Sequence, residues 1–255
     1  MIKLENFEVV GLEHAIRGMR NPMNSWEKSD SGRCVDRTEC ENCPMYDSDG
    51  YCVSNYPARY YLVGPNDHDL MMRLAAGGPV HAKYRRMITV YVDITAPLYW
   101  WKEFDTYKVG TVANSCSTMH KIHAKEFTLE DFSHEKLIDG IVAAKNPHGI
   151  DEKSKVATNP LNVLKGVIDS LNCCRLAYLE HKDGCDGIYT KELWNQMIQL
   201  LPSSYNQKRT VMLNYEVLHN IYTSRKNHKL DEWHAVCDWI EGLPYSEIIT
   251  GGKEE

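Results

Sequence analysis

Long apolar runs, an excess of positive charge and an uninterrupted apolar N-terminus are all missing from this chain of 255 residues. No run approaches the roughly 20 apolar residues of a membrane-spanning helix, so we expect no membrane insertion. The net charge of −6 at pH 7 argues against a general nucleic-acid binder, which is usually basic. Glu5 and Glu8 interrupt the N-terminal segment, which argues against a signal peptide. We therefore expect a cytoplasmic protein whose nine cysteines, an odd number, are reduced.

The composition is typical of a soluble globular protein, with 43% hydrophobic and 25% charged residues. A chain of this length can form one large domain or two small ones, and it buries roughly three-quarters of its unfolded surface. We expect a single domain over residues 1–255, with a cysteine-rich insertion at about residues 30–57.

Four cysteines stand in a polar segment with the spacing C-x5-C-x2-C-x8-C: Cys34, Cys40, Cys43 and Cys52. A Cys-x2-Cys pair presents two thiolates to one ion, and four thiolates complete the tetrahedral shell of zinc. A segment with little core of its own gains order from a bound metal. The spacing predicts a zinc site, and it leaves an iron–sulfur cluster and unliganded or paired thiols open.

The central stretch, Met87 to Lys121, combines a strand, a helix and a polar loop. The β-branched and aromatic residues of Ile88 to Ile94 predict a strand, which Ala96-Pro97 closes. Leu98 to Lys108 contains no glycine or proline and predicts a helix, and Val109 to His120 predicts a loop. Small and hydroxylated residues in this loop suit a phosphate group, although an ordinary surface loop has the same composition.

The remaining elements follow from apolar periodicity and from start and stop signals. Further strands are predicted at Met1–Val10, Arg59–Val63 and Tyr205–Leu213. Helices are predicted at Glu13–Met19, His68–Ala76, His81–Met87, Thr128–Leu137, Leu161–His181, Lys191–Leu201, Asn214–Arg225 and Asp231–Glu241. A turn is predicted at Gly64–Asp67, and Ala144–Asn159 is typical of a mobile linker.

Two groups of polar residues on these helices are ligand candidates. Glu216 and Asn220 stand four apart on one face of the Asn214–Arg225 helix, so they can contact one ligand. A surface helix with satisfied polar side chains is the alternative. A basic group on the His81–Met87 helix predicts a solvated face, with an anion pocket as the alternative: His81, Lys83, Arg85 and Arg86.

The C-terminal part of the chain carries a longer pattern. Flavin-dependent thymidylate synthases have a Leu-Pro, a strand, the helix motif Asn-x-Arg-x3-Asn/His-x4-Arg, and then a Trp. Here Leu201-Pro202 is followed, at the same spacing to the last arginine, by Asn214, Glu216, Asn220, Arg225 and Trp233. Residues 88–120 are similar in position and shape to the family signature, Arg-His-Arg-x2-Ser-x-Asn-Glu-x-Ser-x-Arg-Tyr. Over roughly Met87 to Trp239, the chain resembles this family.

Several cationic residues of the family are replaced. Thr106-Tyr107-Lys108 stands where the family has Arg-His-Arg, and Glu216 stands where the helix motif has its middle arginine. Ile198 replaces an arginine that the family places on the nucleotide phosphate. Each such charge-assisted contact contributes about 1.5–3 kcal/mol, so substitutes are needed. The candidate substitutes are Lys102, Lys108, Lys121, Arg85 and Arg86.

The resemblance also implies a set of ligand contacts. The signature's Ser, Asn and second Ser match Thr111, Asn114 and Ser117 if the loop has one extra residue, while Ser115 replaces Glu and Met119-His120 replaces Arg-Tyr. The cofactor contacts would be Thr106, Tyr107, Lys108, Thr111, Asn114, Asn214, Glu216 and Asn220. The substrate contacts would be Arg225, Ser115, Ser117, Thr118 and Glu103. No residue is assigned as a nucleophile, because the family's chemistry rests on positioning and electrostatics.

The fold implied by the resemblance is α/β, with a central mixed or antiparallel sheet flanked by helices, as in thymidylate synthase-complementing proteins. It further implies a homotetramer that binds FAD and uses dUMP, methylenetetrahydrofolate and NADPH. In that reaction reduced flavin delivers a hydride, and the folate supplies one carbon to C5 of the uracil ring. The missing arginines keep three hypotheses open. The chain is a flavin-dependent enzyme for thymidylate synthesis or a variant such as hydroxymethylation, a catalytically silent nucleotide- or flavin-binding protein, or a zinc-stabilised interaction module.

Overall fold

A computed structural model describes residues 2–33, 61–145, 155–184 and 187–251. The four cysteines of the predicted zinc site lie outside these residues. Within the described ranges, no helix is long and apolar enough to cross a membrane.

The described residues form strands, α-helices and short 3-10 turns. The strands are β1 (Lys3–Val10), β2 (Gly32–Arg33), β3 (Tyr61–Leu62), β4 (Thr89–Pro97), β5 (Val112–Ser115), β6 (Val142–Lys145), β7 (Lys155–Thr158) and β8 (Asn206–Asn214). The helices are α1 (Leu12–Arg20), α2 (Pro65–Ala76), α3 (Leu98–Phe104), α4 (Pro160–His181), α5 (Gly187–Leu200), α6 (Tyr215–Arg225), α7 (Asp231–Glu241) and α8 (Glu247–Thr250). The 3-10 turns are Asn21–Met23, Trp26–Lys28, Ala82–Met87, Asp105–Tyr107 and Leu129–Asp131.

Four strands form an antiparallel sheet in the order β1-β4-β8-β5, flanked by helices. β4 suits an inner position because its apolar side chains alternate: Val90, Val92 and Ile94 are buried, and Tyr91 is exposed. Pro97 ends β4 and is the N-cap residue of α3, where its missing N–H has no cost. The α/β class with an antiparallel sheet flanked by helices, expected from the sequence, is therefore confirmed.

The chain divides into two compact units, of which the first comprises Met1–Glu5, Asp93–Thr106 and Ala113–Thr210. Here α4 packs against α5. Asn159 caps α4 by accepting a hydrogen bond from the Asn162 N–H at 3.1 Å. The buried cluster of this unit is Ile122, Phe127, Phe132, Leu164, Ile168, Leu171 and Met197.

The second unit comprises Asn6–Val92, Tyr107–Val112 and Val211–Glu255. Its α6 packs against α7, α8 and the 3-10 turn at 82–87. Two aromatic side chains, Tyr215 and Trp233, are completely buried and supply much of the apolar area of this core.

Residues 29–33 of the second unit are fastened to residues 61–67. β2 and β3 pair antiparallel, with Gly32 opposite Leu62 and Arg33 opposite Tyr61. The Asp30 carboxylate accepts hydrogen bonds from the N–H groups of Asn66 at 2.8 Å and Asp67 at 3.1 Å, at the start of α2. The two ends of the segment between β2 and β3 are therefore held side by side.

Three local predictions are wrong. The loop predicted at Val109–His120 contains β5, because pairing with β8 gives this polar segment a backbone partner. The helix predicted at Thr128–Leu137 is limited to the 3-10 turn at 129–131, and the chain turns extended at Phe132, where φ is −128° and ψ is 138°. The linker predicted at Ala144–Asn159 has β6 and β7 at its ends, and these pair as antiparallel strands.

Two further predictions also need correction. Gly64–Asp67 is not a separate turn, since α2 already begins at Pro65, a residue suited to a first helical turn. Arg85 is only 3% exposed, so the solvated face predicted for its helix is wrong at this position. His81, Lys83 and Arg86 are exposed as predicted.

Candidate functional site

A cavity of about 300 Å³ opens at one end of the sheet, within the first unit. Every strand of the sheet contributes: Lys3 near the start of β1, Thr95 near the end of β4, Asn206 at the start of β8, and Cys116 directly after β5. These positions meet because neighbouring antiparallel strands run in opposite directions. The remaining lining residues are Ser117, Thr118, Lys125, Glu130, Asp131, Phe132, His134, Glu135, Tyr205, Gln207 and Lys208.

An ion pair between Lys125 and Asp131 forms part of the cavity wall. The Asp131 carboxylate is fixed, because it accepts hydrogen bonds from the Thr128 N–H at 2.9 Å and the Thr128 hydroxyl at 3.1 Å. The Lys125 side chain is 69% exposed, against 13% for that of Asp131. Because the Lys125 end of the pair is exposed and Asp131 keeps its hydrogen bonds from Thr128, the Lys125 ammonium can turn to an anionic ligand at modest cost.

Tyr205 and Phe132 form the aromatic part of the wall. Their ring centroids are 5.6 Å apart in an edge-to-face arrangement, and Phe132 is 1% exposed. Burial raises the pKa of Tyr205, and the nearby Asp131 carboxylate raises it further. The phenol therefore stays protonated at neutral pH, and it can donate a hydrogen bond to a bound molecule.

His134 brings an acid–base side chain to the cavity. Its Nδ1 lies 2.8 Å from the carbonyl oxygen of Phe132. Because a carbonyl oxygen only accepts hydrogen bonds, Nδ1 carries the proton, and Nε2 of the neutral ring is an acceptor.

Cys116 is held at the cavity wall by its backbone. Its N–H donates to the carbonyl oxygen of Lys208 at 2.9 Å, and its own carbonyl oxygen accepts from Nε2 of Gln207 at 2.8 Å. Oε1 of Gln207 accepts from Nε of Arg209 at 3.0 Å, and the Arg209 guanidinium lies 4.1 Å from the Trp101 ring centroid. This chain of contacts fixes the position of the exposed Cys116 residue.

The charge of Lys208 is compensated within the protein. Its Nζ lies 3.0 Å from Oδ2 of Asp93, and this hydrogen bond raises the pKa of Lys208. Asp93 also accepts a hydrogen bond from the Thr210 hydroxyl at 2.6 Å. Of the lysines that line the cavity, Lys3 forms no ion pair within the described residues, and Lys125 is the more exposed of the two paired lysines. These two are therefore better placed to neutralise a ligand.

In the second unit, Arg225 at the end of α6 lies among aromatic rings. Its Nε donates to the Tyr107 hydroxyl at 2.9 Å. The guanidinium carbon is 5.6 Å from the Tyr107 ring centroid and 4.8 Å from that of Trp233. These contacts hold the guanidinium in one orientation.

Arg85 and Glu216 form a buried pair in the second unit that lacks a hydrogen bond. Nη1 of Arg85 lies 3.7 Å from Oε2 of Glu216, and the two side chains are 4% and 12% exposed. Nε of Arg85 and Oε2 of Glu216 have no hydrogen-bond partner within the described ranges. Orphaned buried atoms cost about 1–3 kcal/mol each, so this place suits an additional polar group.

The segment 107–111 packs against the first turn of α6. Oδ1 of Asn214 accepts from the Val217 N–H at 3.0 Å and thereby caps the helix. Gly110 has a φ of 82°, and a Cβ at this position would lie 3.1 Å from Nδ2 of Asn214. The backbone conformation therefore favours glycine here, and any side chain would also require Asn214 to shift by a few tenths of an ångström.

No family model and no curated protein matches this sequence. Among solved structures, Thymidylate Synthase X (ThyX) from Helicobacter pylori with FAD and dUMP is 14% identical, with a TM-score of 0.57 over 97% of this chain and 96% of that chain. A second Helicobacter pylori ThyX structure, complexed with FAD and dUMP, is 16% identical, with a TM-score of 0.54 over 97% and 95%. The UMP/dUMP methylase PolB from Streptomyces cacaoi, bound with 5-Br dUMP, is 12% identical, with a TM-score of 0.50 over 98% and 94%.

This chain has the ThyX fold. At such low identity the likeness establishes the fold and nothing finer, and it extends over nearly the full length of each chain. The ThyX-like architecture expected from the sequence is therefore confirmed.

The residues that the sequence assigns to cofactor or substrate binding lie partly in the first unit and partly in the second. Ser117 and Thr118 line the cavity of the first unit. In the second, Arg225 contacts Tyr107, and Asn220 is exposed. Outside the cavity lining, at exposed or half-buried positions, are Glu103, Thr106, Lys108, Thr111, Asn114 and Ser115.

Several cavity residues are not predicted as ligand contacts by the sequence, among them Lys125, His134, Tyr205 and Asn206. No motif marks them, because the fold brings them together from separate segments: Tyr205 and Asn206 lie directly before and at the start of β8, whereas Lys125 and His134 lie outside the strands. The Thr128-x2-Asp131 spacing is one signal in the sequence that indicates a cavity residue, because it is a capping box that fixes the Asp131 carboxylate in the cavity wall.

A metal centre is not formed by the part of the chain that the structure describes, where no three His, Cys, Asp or Glu side chains cluster suitably. Because Cys34, Cys40, Cys43 and Cys52 lie outside that part, the zinc site stays a prediction.

Proposed function

We propose that this protein binds dUMP together with reduced FAD and modifies C5 of the pyrimidine ring. The reaction is methylation with methylenetetrahydrofolate, or a close variant such as hydroxymethylation. The observation that carries the proposal is the likeness, over nearly the full chain, to three structures that hold dUMP or 5-Br dUMP. The polar cavity supports it with a place in this chain for the nucleotide.

The cavity suits a mononucleotide in size and chemistry. Its volume of about 300 Å³ lies at the lower end of ligand pockets, which span about 300–1,000 Å³. The Ser117 hydroxyl accepts from the N–H groups of Met119 at 3.2 Å and His120 at 2.9 Å, which leaves its own proton to donate to a phosphate oxygen. Lys3 and Lys125 supply positive charge beside it.

The second unit fits a flavin through different residues. Nε of Arg85 and Oε2 of Glu216 are orphaned polar atoms, and Asn220 offers an exposed amide one helical turn after Glu216. We propose that Asn214, Glu216 and Asn220 contact the flavin. Arg225 does not line the cavity of its own chain, so we propose that it contacts the nucleotide bound by another subunit of the homotetramer. Arg85 takes the place of a missing family arginine, and the Glu216 carboxylate compensates the charge of its guanidinium.

For methylation, bound reduced FAD would supply a hydride, methylenetetrahydrofolate the carbon and NADPH the reducing equivalents, whereas hydroxymethylation would take up water and need no hydride. The protein's own groups would orient the pyrimidine and handle protons. The Tyr205 phenol donates a hydrogen bond to a ring carbonyl oxygen, and Nε2 of His134 accepts the proton that leaves C5. Phe132 and Tyr205 exclude water from one side of the ring.

Assembly and metal content complete the proposal. We propose a homotetramer in solution and one zinc ion on Cys34, Cys40, Cys43 and Cys52. The pairing of β2 with β3 supports the zinc site, because these two strands flank the cysteine-carrying segment and bring its ends close together. A strictly monomeric species at micromolar concentration in light scattering would contradict the tetramer.

The nucleotide site is tested by calorimetric titration with dUMP on wild-type protein and two hydroxyl-deletion variants. Ser117→Ala removes a hydroxyl from the cavity, whereas the control Ser170→Ala removes an exposed hydroxyl that only donates to the Gly166 carbonyl oxygen at 2.8 Å. Loss of a hydrogen bond to a charged phosphate costs about 1.5–3 kcal/mol, or roughly ten- to a hundredfold in affinity. Equal affinities for the two variants would place dUMP outside the cavity. No binding by wild-type protein would overturn the proposed function.

A further inference from the structure

The loop from Met119 to Phe127 is fastened to the α4–α5 hairpin of the first unit. Asn172 on α4 binds both backbone groups of Phe127, accepting from its N–H at 2.9 Å and donating to its carbonyl oxygen at 2.8 Å. Nε1 of Trp194 on α5 donates to the carbonyl oxygen of Met119 at 2.9 Å. Both ends of the loop are therefore fixed, and the residues between them are held over α4.

His123 lies in the middle of this loop and contacts α4 directly. Its ring centroid is 4.7 Å from that of Tyr178, and its carbonyl oxygen accepts from Nε of Arg175 at 3.1 Å. Nδ1 of His123 is buried and has no hydrogen-bond partner in the described part of the chain. Among the described residues, therefore, no hydrogen bond to Nδ1 dictates which ring nitrogen carries the proton.

Positive charge surrounds this histidine. Arg175, Tyr178 and Lys182 stand at spacings of three and four, so they share one face of α4 and its C-cap residue. Lys121 belongs to the loop itself, two positions before His123. Burial lowers the pKa of His123, and the charges of Lys182, Lys121 and Arg175 lower it further.

No ion pair within the described residues involves Lys121, Arg175 or Lys182. A cation is favourable at a helix C-terminus, which is a sufficient structural reason for Lys182. It does not account for Lys121, which belongs to another segment. Arg175 donates to the His123 carbonyl oxygen, but this neutral partner leaves its positive charge uncompensated. Gathering three cations around an unpartnered imidazole costs free energy through like-charge repulsion unless an anion compensates them.

We propose that Lys121, His123, Arg175 and Lys182 form a binding site for a phosphate or diphosphate group. None of the four lines the cavity, so this anion site does not depend on what the cavity binds. The lysines are exposed and can close on the ligand, and the half-buried Arg175 and His123 provide its floor. Two sources share this chemistry: free phosphate or pyrophosphate, and the diphosphate of a dinucleotide such as FAD.

The test is calorimetric titration with inorganic pyrophosphate at low ionic strength, on full-length protein. Lys182→Gln and Lys121→Gln each remove one charge from the anion site. The control, Lys165→Gln, removes one charge from an exposed position near the other end of α4. We expect each site variant to weaken pyrophosphate binding about tenfold and the control to weaken it less than twofold, with affinity falling as salt rises.

A second readout identifies the position. Pyrophosphate should shift the His123 ring signals in NMR spectra, which are assigned by their loss in His123→Gln. Equal weakening by all three lysine variants, or an unmoved His123 signal at saturation, would overturn the anion site. If Lys182→Gln weakens FAD binding as well, the ligand is the dinucleotide diphosphate; if FAD binding is unchanged while pyrophosphate binding falls, it is free phosphate.

Discussion

Asp67 is the most completely satisfied buried charge in the second unit, and its removal should be strongly destabilising. The residue is 0% exposed, and its Oδ1 accepts from Nε of Arg20 at 2.5 Å. Oδ2 accepts from the hydroxyls of Ser29 at 2.7 Å and Ser31 at 2.6 Å, and from the N–H groups of Asp30 and Ser31, both at 3.1 Å. This carboxylate therefore holds residues 29–31, which lead into β2, against α2.

Asp67→Ala leaves Arg20 buried at 4% exposure without its counter-charge. Breaking a buried pair by deleting one partner costs about 3–5 kcal/mol. For a chain of this size, 1 kcal/mol corresponds to about 2–4 °C in melting temperature. We therefore expect Asp67→Ala to melt roughly 6–20 °C below the wild type.

The assay is thermal unfolding followed by circular dichroism, with Asp69→Ala as the matched control. Asp69 lies on the same helix, but its side chain is 65% exposed and pairs with Arg73 in solvent. Such helix pairs contribute about 0.3–0.5 kcal/mol, so the control should shift the melting temperature by less than about 2 °C. If the two variants melt at the same temperature, the reasoning about buried charge is refuted.

Four further predictions follow from individual residues. Burial alone would raise the pKa of Asp67, but hydrogen bonds from Ser31, Ser29 and Arg20 outweigh it and lower the pKa. The Asp67 carboxylate therefore contributes to the free energy of unfolding above its unfolded pKa of about 3.9, and this contribution is lost as pH falls through the lower folded pKa. A difference in the free energy of unfolding between wild type and Asp67→Ala that stays constant down to pH 2 would contradict this. Iodoacetamide should alkylate Cys116 at the cavity and spare the buried Cys237, because burial raises the pKa of the Cys237 thiol to about 11. Bound dUMP should protect Cys116 from alkylation. If mass spectrometry finds no protection, this argues against a nucleotide in the cavity. Elemental analysis should find about one zinc per chain in protein prepared without chelator and little after Cys43→Ser, while less than about 0.2 per chain in the wild type would exclude the zinc site. Arg225→Ala should weaken dUMP binding roughly ten- to a hundredfold while FAD is retained, and unchanged dUMP affinity in titration would remove Arg225 from the nucleotide site.

Local patterns in the sequence predict a large part of this fold. The bounds of α7 agree with those expected, α4 begins one residue earlier, and β8 is shifted by one residue at both ends. Apolar periodicity, Pro160 at the start of α4 and the side-chain caps at Asn159 and Asn214 act between residues close in the chain. Such signals survive in a sequence even where family motifs are degenerate.

Features that depend on distant partners could not be predicted in this way. The short, exposed β5 has no strand-like alternation and exists because β8 offers it hydrogen bonds. Arg85 belongs to a basic run typical of a solvated face, yet its side chain is buried beside Glu216, a residue far along the chain. The cavity likewise depends on strand order, which brings together Lys3, Thr95 and Asn206.

Chemistry at C5 of the pyrimidine ring is the central claim, and release of tritium from [5-³H]dUMP into water tests it most directly. Replacement of the C5 hydrogen must release the label, whether the product is methylated or hydroxymethylated. We predict release that requires methylenetetrahydrofolate and, for methylation, reduced FAD, and that falls in Ser117→Ala but not in Ser170→Ala. Protein that binds both dUMP and FAD yet releases no tritium under any combination of these reactants would contradict the enzymatic function and would leave a nucleotide-binding protein on the ThyX fold.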